Sequence, residues 1–214
     1  IDGQTQLALC ATTQDPQYCT GINRLASGEI ETFANFLINL GSIKTDGWDA
    51  DVFWTLPETR IGRFKLSWQN TFVTRNEPRG AGRQLQPQGP GLVVNDSAIP
   101  EWTSTATLDW TRGDWTAAWS IRHLSEMEEA CLAAEPDVFC STGTTNTLGA
   151  TTYHDLQLGY EFAWFKGLQL TGGVNNLFDE DPPVCTSCSL NGYEASTYDI
   201  PGGRFFYVRA NLRF

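Results

Sequence analysis

Six cysteines are the first residues in this chain that could carry chemistry, and they lie in three close pairs. The pairs are Cys10 with Cys19, Cys131 with Cys140, and Cys185 with Cys188. Six cysteines allow many disulfide connectivities, so their number alone does not fix the pairing. Pairing within each short segment is the simplest arrangement, because every segment then has its own cross-link in an oxidising compartment. We therefore predict three local disulfides with a structural role.

The CTSC segment at 185–188 has a spacing that also occurs in zinc sites and redox enzymes. A zinc site needs more ligands, and the only histidines, His123 and His154, both lie in predicted strands. A redox site of the thioredoxin type needs a βαβ context, which the sequence does not show. A structural disulfide is therefore the preferred interpretation, and we expect no metal and no cofactor.

Carboxylates are the second candidate set. They form two clusters: Glu126, Glu128 and Glu129, and Asp179, Glu180 and Asp181. Such oxygens could hold calcium or a cationic ligand, but the ligand spacing of an EF-hand loop is missing, so we expect a solvated acidic rim. The excess of 25 acidic over 14 basic residues argues against nucleic acid as a partner.

Catalytic motifs are not found in the sequence. It contains no Gly-x-Ser-x-Gly segment, no His-Glu-x-x-His segment and no phosphate-binding loop. The two histidines fall on the same parity as the apolar residues of their strands, which favours placement at an interface over a role as a base. We therefore predict that the chain is not an enzyme.

The elements that position these residues share one pattern, in which every second residue is apolar. In the last segment, Phe206, Val208, Ala210, Leu212 and Phe214 fall on one face of an extended strand. The same alternation occurs in 48–56, 63–72, 105–110, 115–122, 155–162 and 168–175, which makes seven predicted strands. The opposite face carries ten charged residues: Asp49, Asp51, Arg63, Lys65, Asp109, Arg122, Asp155, Glu161, Arg209 and Arg213.

The connections between these strands alternate in length. Residues 57–62, 111–115 and 163–167 form short connections, whereas 77–100, 128–150 and 178–202 are long and rich in turn-forming residues. Outer-membrane barrels have short periplasmic turns and long outer loops. Trp54, Trp110, Trp115 and Trp164 lie at the short-turn ends, where an interfacial girdle places amphipathic rings. The pattern favours a transmembrane barrel over a soluble sandwich.

Two parts of the sequence resemble a known family. LTGGVNNLFDEDPPV (170–184) followed by YDIPGGRFFYVRANLRF (198–214) resembles the last hairpin of TonB-dependent outer-membrane transporters. In that family an Asn-Leu-Phe-Asp stretch ends the penultimate strand, and an aromatic-rich strand ends the chain on Phe. INLGSIKTDGWDADVFWTLP (38–57) is similar to another family segment, in which Gly47, Trp48 and Asp49 take the places of a glycine, a variable residue and an acid. The strand-and-loop pattern extends the resemblance over 38–214.

This resemblance implies an all-β fold, a transmembrane antiparallel β-barrel of about 22 strands in the outer membrane of a Gram-negative bacterium. The chain 1–214 would supply about the last seven strands, and it shows neither the plug domain nor the TonB-contacting segment of a complete member. Barrels have an even number of strands with both ends in the periplasm, so seven strands that end inside begin outside. We expect an extracellular loop at 1–30, and at 31–214 strands with long outer loops and short periplasmic turns.

The resemblance also implies partners. They are outer-membrane lipid, the remaining barrel strands, the plug, TonB of the inner-membrane energy-transducing complex, the outer-membrane assembly machinery and a small nutrient ligand. The assembly machinery would recognise the terminal strand through Phe206, Val208, Ala210, Leu212 and Phe214.

Three function classes follow from these patterns. The first is energised uptake of a scarce nutrient through a plugged barrel, which is what the family resemblance implies. The second is passive diffusion through a porin-type channel, which the strand pattern alone also allows. The third is a soluble β-rich binding module, which the two classes of connection disfavour.

Overall fold

The computed structural model describes residues 3–34, 41–80, 83–84, 89–94, 97–129, 146–165, 167–186, 188 and 191–212. The helices are α1 (Gly3–Thr13) and α2 (Pro16–Cys19). The strands are β1 (Ile22–Arg24), β2 (Ile30–Phe33), β3 (Gly41–Thr55), β4 (Arg63–Gly80), β5 (Arg83–Gln84), β6 (Leu92–Val94), β7 (Ser97–Ile99), β8 (Trp102–Arg112), β9 (Trp115–Leu124), β10 (Met127–Glu129), β11 (Asn146–Leu148), β12 (Thr151–Glu161), β13 (Leu168–Asn175) and β14 (Phe205–Leu212). Two compact units divide the chain, 1–41 and 42–214.

The N-terminal unit contains two helices and a hairpin. Asp15 caps α2, because its carboxylate accepts a hydrogen bond of 2.9 Å from the Gln17 amide. The buried Gln6 side chain donates a hydrogen bond of 3.1 Å to the Tyr18 carbonyl, which joins the helices. Strands β1 and β2 pair antiparallel. The segment 1–30, expected as a loop, therefore contains its own secondary structure, stabilised by a cap, a buried amide and a disulfide.

The larger unit is built on one antiparallel sheet of seven long strands in the order β14-β13-β12-β9-β8-β4-β3, with β5 paired to the end of β4. Every long strand pairs with its neighbour along the chain, so the sheet is a continuous meander. The seven strands predicted from the alternation are confirmed, and they extend further than the alternating segments in several places. Among the described helices, none has the length and apolar character needed to cross a membrane.

The short connections all lie at one end of this sheet, which we name the turn end. Only Gly113 and Asp114 connect β8 to β9, and Gly113 has a φ of +56°, a conformation that favours glycine in a tight hairpin. At the turn between β3 and β4, the Ile61 carbonyl accepts a hydrogen bond of 2.7 Å from the Trp110 indole nitrogen. Tight turns of this kind fix the register of the strands that they join.

A second, smaller sheet lies at the other end, which we name the cap end. Its order is β11-β10-β6-β7, and β10 pairs parallel with β6. We define the loop cap as these four strands together with the described residues of 182–199. Its core combines Leu124 of β9 and Tyr153 of β12 with buried side chains from several connections: Val93, Met127, Leu148, Cys185, Cys188, Tyr193 and Tyr198. The long connections therefore pack together as one folded layer.

Candidate functional site: the two sheet faces and the loop cap

The large sheet has one apolar face and one polar face. Cross-strand register places Leu66, Leu108, Trp119 and Leu156 beside one another on the apolar face. Several of its side chains are exposed to solvent, among them Trp119, Leu156, Leu158, Phe206 and Val208. A continuous apolar surface of this size on a folded protein indicates contact with another apolar phase.

Aromatic side chains concentrate at both ends of the apolar face. At the cap end, Phe72 stacks between Trp48 and Trp102, with ring centroids 4.0 Å and 5.9 Å away. At the turn end, Trp115 lies 4.7 Å from Tyr160. Two aromatic bands that flank an apolar band are typical of strands that span a membrane.

The histidines occupy the predicted parity near the cap end. The His123 ring lies 4.8 Å from Trp102, and its Nδ1 is 2.8 Å from the Thr152 hydroxyl. The His154 ring lies 4.9 Å from the Phe178 ring. Both rings belong to aromatic clusters on the apolar face.

The polar face carries the predicted charged residues wherever the structure describes them. Lys65 and Asp109 are register partners on β4 and β8, and Asp155 accepts a hydrogen bond of 2.8 Å from the Asn176 amide. Arg213 and Phe214 lie outside the described residues. Strands with one apolar and one polar, charged face separate two different environments.

Glu129 corrects the expectation that the acidic cluster at 126–129 forms a solvated rim. Its side chain is 0% exposed. It accepts hydrogen bonds from the Asn146 amide group at 2.7 Å and from the Thr186 hydroxyl at 2.8 Å. Glu126 and Glu128 are exposed as predicted. Strand alternation in β10 turns Glu129 inward, where the carboxylate joins β10 to β11 and to the last long connection.

The cluster at 179–181 is exposed, in agreement with the prediction. Two of its carboxylates also order the last long connection. Asp181 accepts a hydrogen bond of 2.8 Å from the Gly202 amide, and Asp179 lies 3.8 Å from the Arg204 guanidinium. These contacts join the beginning of the connection to its end.

Tyr198 and Glu194 are buried polar residues of the loop cap that the sequence reasoning missed. Within the described part of the chain, the Tyr198 hydroxyl and one oxygen of Glu194 are buried without a hydrogen-bond partner. Burial raises the pKa of Tyr198 to about 12, with smaller contributions from Tyr153 and from the Glu194 carboxylate. In the sequence, the YDIP segment that contains Tyr198 belongs to the terminal motif and carries no separate signal of burial.

Arg122 connects the sheet to the loop cap. Its guanidinium forms an ion pair with Asp199 and lies 4.8 Å from the centre of the Tyr153 ring. The Asp199 amide donates a hydrogen bond of 3.3 Å to the Tyr153 hydroxyl. The last long connection therefore bends back to the polar face and is held there by residues of β9 and β12.

The structure contains two of the predicted disulfides, Cys10–Cys19 and Cys185–Cys188. The second bond is buried within the core of the loop cap. Cys131 and Cys140 lie outside the described residues, so their bond stays a prediction.

A family model described as TonB dependent receptor-like, beta-barrel matches residues 6–177. The chain belongs to the TonB-dependent receptor family. Its members are outer-membrane proteins of Gram-negative bacteria, which confirms the predicted family and location. A comparison with curated proteins gave no significant match.

Solved structures of TonB-dependent receptors share the fold. The ferric-catecholate import receptor Fiu from E. coli K12 matches with 18% identity and a TM-score of 0.52. The FrpB iron transporter from Neisseria meningitidis matches with 16% identity and a TM-score of 0.53. The comparison covers 90% and 91% of this chain, but only 23% and 26% of the two receptors. The chain therefore spans about a quarter of their length, in agreement with a seven-stranded part of a larger barrel.

Membership of the TonB-dependent receptor family assigns the two faces. The apolar face with its aromatic bands is the lipid-facing side of a barrel wall, and the polar face is the lumen side. The predicted fold class, an all-β transmembrane barrel of which this chain supplies about seven strands, is thereby confirmed.

Proposed function

We propose that this chain forms part of the barrel wall of a TonB-dependent transporter that binds a scarce nutrient at the cell surface and imports it into the periplasm. The family match and the charged polar face support this proposal together. A small barrel fills its interior with side chains, whereas an inward face with charges of both signs suits a wide lumen that holds water or a polar domain. Fiu and FrpB, described as an import receptor and an iron transporter, share the fold of this chain.

In this proposal the loop cap and the segment 1–30 face the cell exterior, and the turn end faces the periplasm. A plug domain, contributed by the rest of the protein, contacts the polar face and receives TonB. The assembly machinery recognises the terminal strand through the apolar residues from Phe206 to Leu212, followed by Phe214. The exposed apolar positions of β14, such as Phe206 and Val208, favour such recognition.

In this proposal the residues of the barrel wall take part in no covalent reaction. The charged side chains guide or anchor a solute and the plug, so the chain acts as part of a transporter and not as an enzyme.

Energy dependence tests the proposal against the porin alternative. Uptake by cells that express the intact protein should stop when the inner-membrane proton gradient is collapsed, while binding of the nutrient to the cell surface persists. A strain without TonB should show the same loss. Flux that follows the solute gradient and ignores both treatments would contradict active import and support a passive channel.

A further inference from the structure

One row of residues crosses the polar face from β4 to β14 in direct register. We name it the arginine row: Arg63, Thr111, Thr116, Gly159, Thr171 and Arg209. It has an arginine at each end, three threonines between them and a glycine in place of a fourth side chain. Apart from the backbone, its polar groups are guanidinium and hydroxyl groups, which can all donate hydrogen bonds.

The glycine leaves a depression whose walls are hydroxyl groups. A Cβ atom added at Gly159 would lie 2.5 Å from the Thr116 hydroxyl and 3.2 Å from the Thr171 hydroxyl. The two hydroxyls therefore approach the same point above the Gly159 backbone. The neighbouring row differs, because there the Tyr207 ring covers Gly173 and its hydroxyl donates a hydrogen bond of 3.2 Å to Gln157. The depression at Gly159 is thus bounded on one side by a filled position.

The members of the row other than Gly159 line a cavity of about 470 Å³ with an excess of positive charge. Arg63, Lys65 and Arg209 line this cavity, and Asp109 is the one acid among its described lining residues. The chain as a whole has a net charge of -11, so the charge of this patch is opposite in sign to the net charge of the chain. Because cavities focus the field of the charges that line them, the patch attracts anions.

The two arginines are not committed to strong ion pairs within the described structure. Arg63 lies 3.8 Å from Glu58, but the two side chains are 54% and 73% exposed, so solvent screens this pair. Arg209 lies 6.0 Å from the centre of the Tyr207 ring and has no described acid within ion-pair distance. Their guanidinium groups are therefore available to a ligand.

We propose that the arginine row binds the carboxylate or phosphate group of an anionic solute that passes through the lumen. Guanidinium groups bind such oxyanions through two parallel hydrogen bonds, and threonine hydroxyls supply further donors. This inference rests on the proposed transport function, to which it adds a substrate class and a position near the turn end. The test has a competing outcome, in which the arginine row is occupied permanently by an acidic side chain from elsewhere in the protein.

Binding of inorganic phosphate to the purified intact protein tests the proposal. Measured by equilibrium dialysis with labelled phosphate at low salt, R63Q/R209Q should bind phosphate about tenfold more weakly or worse, because one charge-assisted contact and the positive field of the second guanidinium are lost. T116V/T171V and G159A should weaken binding several-fold without any change in charge. The matched control R60Q makes one of the same charge changes in the adjacent turn, outside the row, and should bind like the wild type.

Heat-modified mobility in gels shows whether each variant is folded, and T116V/T171V keeps the test valid if G159A does not assemble. Phosphate binding that is equal in the wild type and in R63Q/R209Q would overturn the proposal. It would also be overturned if the wild type bound no phosphate and R63Q/R209Q only lowered the melting temperature, since the arginines would then pair with fixed acids. Energised uptake is measured separately in cells, so this proposal and the transport function can fail independently.

Discussion

Tyr198 holds a hydroxyl group in a position that is 4% exposed, where the described structure offers no hydrogen-bond partner. An unpaired buried hydroxyl costs stability, because it loses its bonds to water without replacing them. The raised pKa of Tyr198, about 12, has the same cause, since burial penalises the ionised form. The residue therefore weakens the loop cap slightly at neutral pH and strongly in alkali.

We predict that Tyr198→Phe leaves the stability of the intact protein unchanged or raises it at neutral pH. In the wild type, the stability linked to the neutral hydroxyl is fully present below the unfolded pKa of about 10 and is lost as the pH rises through about 12. Y198F should remove this alkaline loss, which amounts to about 2–3 kcal/mol for two pKa units. Thermal unfolding followed by near-UV circular dichroism between these pH values measures both effects.

Tyr207→Phe is the matched control, because the Tyr207 hydroxyl does donate a hydrogen bond, to Gln157. Y207F should therefore lower stability slightly or leave it unchanged. A clear loss of stability in Y198F at neutral pH would show that the Tyr198 hydroxyl has a partner and would contradict this account.

Glu129 shows where prediction from sequence reaches its limit at the scale of single residues. Its neighbours in the chain, Glu126 and Glu128, share its charge, so the local sequence indicates only an acidic patch. The partner that decides its burial is Thr186, which follows 57 positions later. Strand alternation could have marked Glu129 as inward-facing, but β10 has three residues, too few for a periodic pattern.

At the scale of elements, the Arg122–Asp199 ion pair joins a wall strand to the last long connection. The side chains are 41% and 35% exposed, so the pair contributes only about 0.5–1 kcal/mol. This is enough to shift the balance between a closed and an open connection. Tyr193 and Tyr198, both buried in the loop cap, become accessible only when the connection opens.

We predict that R122E or D199R raises the rate of chymotrypsin cleavage at these tyrosines about two- to fivefold, since cleavage follows the population of the open form. The charge-reversed double variant R122E/D199R restores the ion pair but not the contact of Arg122 with the Tyr153 ring, so it should recover most of the wild-type rate. Cleavage of the intact protein in detergent, followed by mass spectrometry, gives the measurement. E58Q, which breaks the exposed pair with Arg63 at the turn end, is the control and should not change the rate. If the double variant were cleaved as fast as the single variants, the Arg122–Asp199 pair would not be what holds the connection closed.

Some secondary-structure elements can be predicted from the sequence and others cannot. The difference is the separation along the chain between the residues whose interactions define the element. In β9, Trp119 and Ile121 alternate with Ser120 and Arg122, so the strand, its apolar face and its neighbours along the chain can be predicted from the sequence. The small sheet could not, because β6 and β10 pair across two intervening connections and a hairpin. The helices of the N-terminal unit were missed as well, since α1 carries no amphipathic pattern.

At the scale of the whole molecule, the proposed topology places every long connection outside the cell. We predict that protease added to intact cells cleaves within 1–30, 77–100, 128–150 and 178–202 and spares the turns at 57–62, 111–114 and 163–167. The outer membrane shields the turn end, so permeabilised cells should show additional cleavage at the turns. Peptide mapping gives the cleavage sites, and cleavage at the short turns of intact cells would reverse the orientation.

The parallel pairing of β6 with β10 has a consequence for biogenesis. Val93 and Glu129 are register partners about 36 residues apart, and the hairpin of β8 and β9 lies between them. Closure of this hairpin returns the chain to the cap end, which favours pairing of the two short strands after the hairpin has formed. We therefore expect the loop cap to form after the wall beneath it. We propose that, during insertion, the outer connections stay unstructured until the strands beneath them have paired.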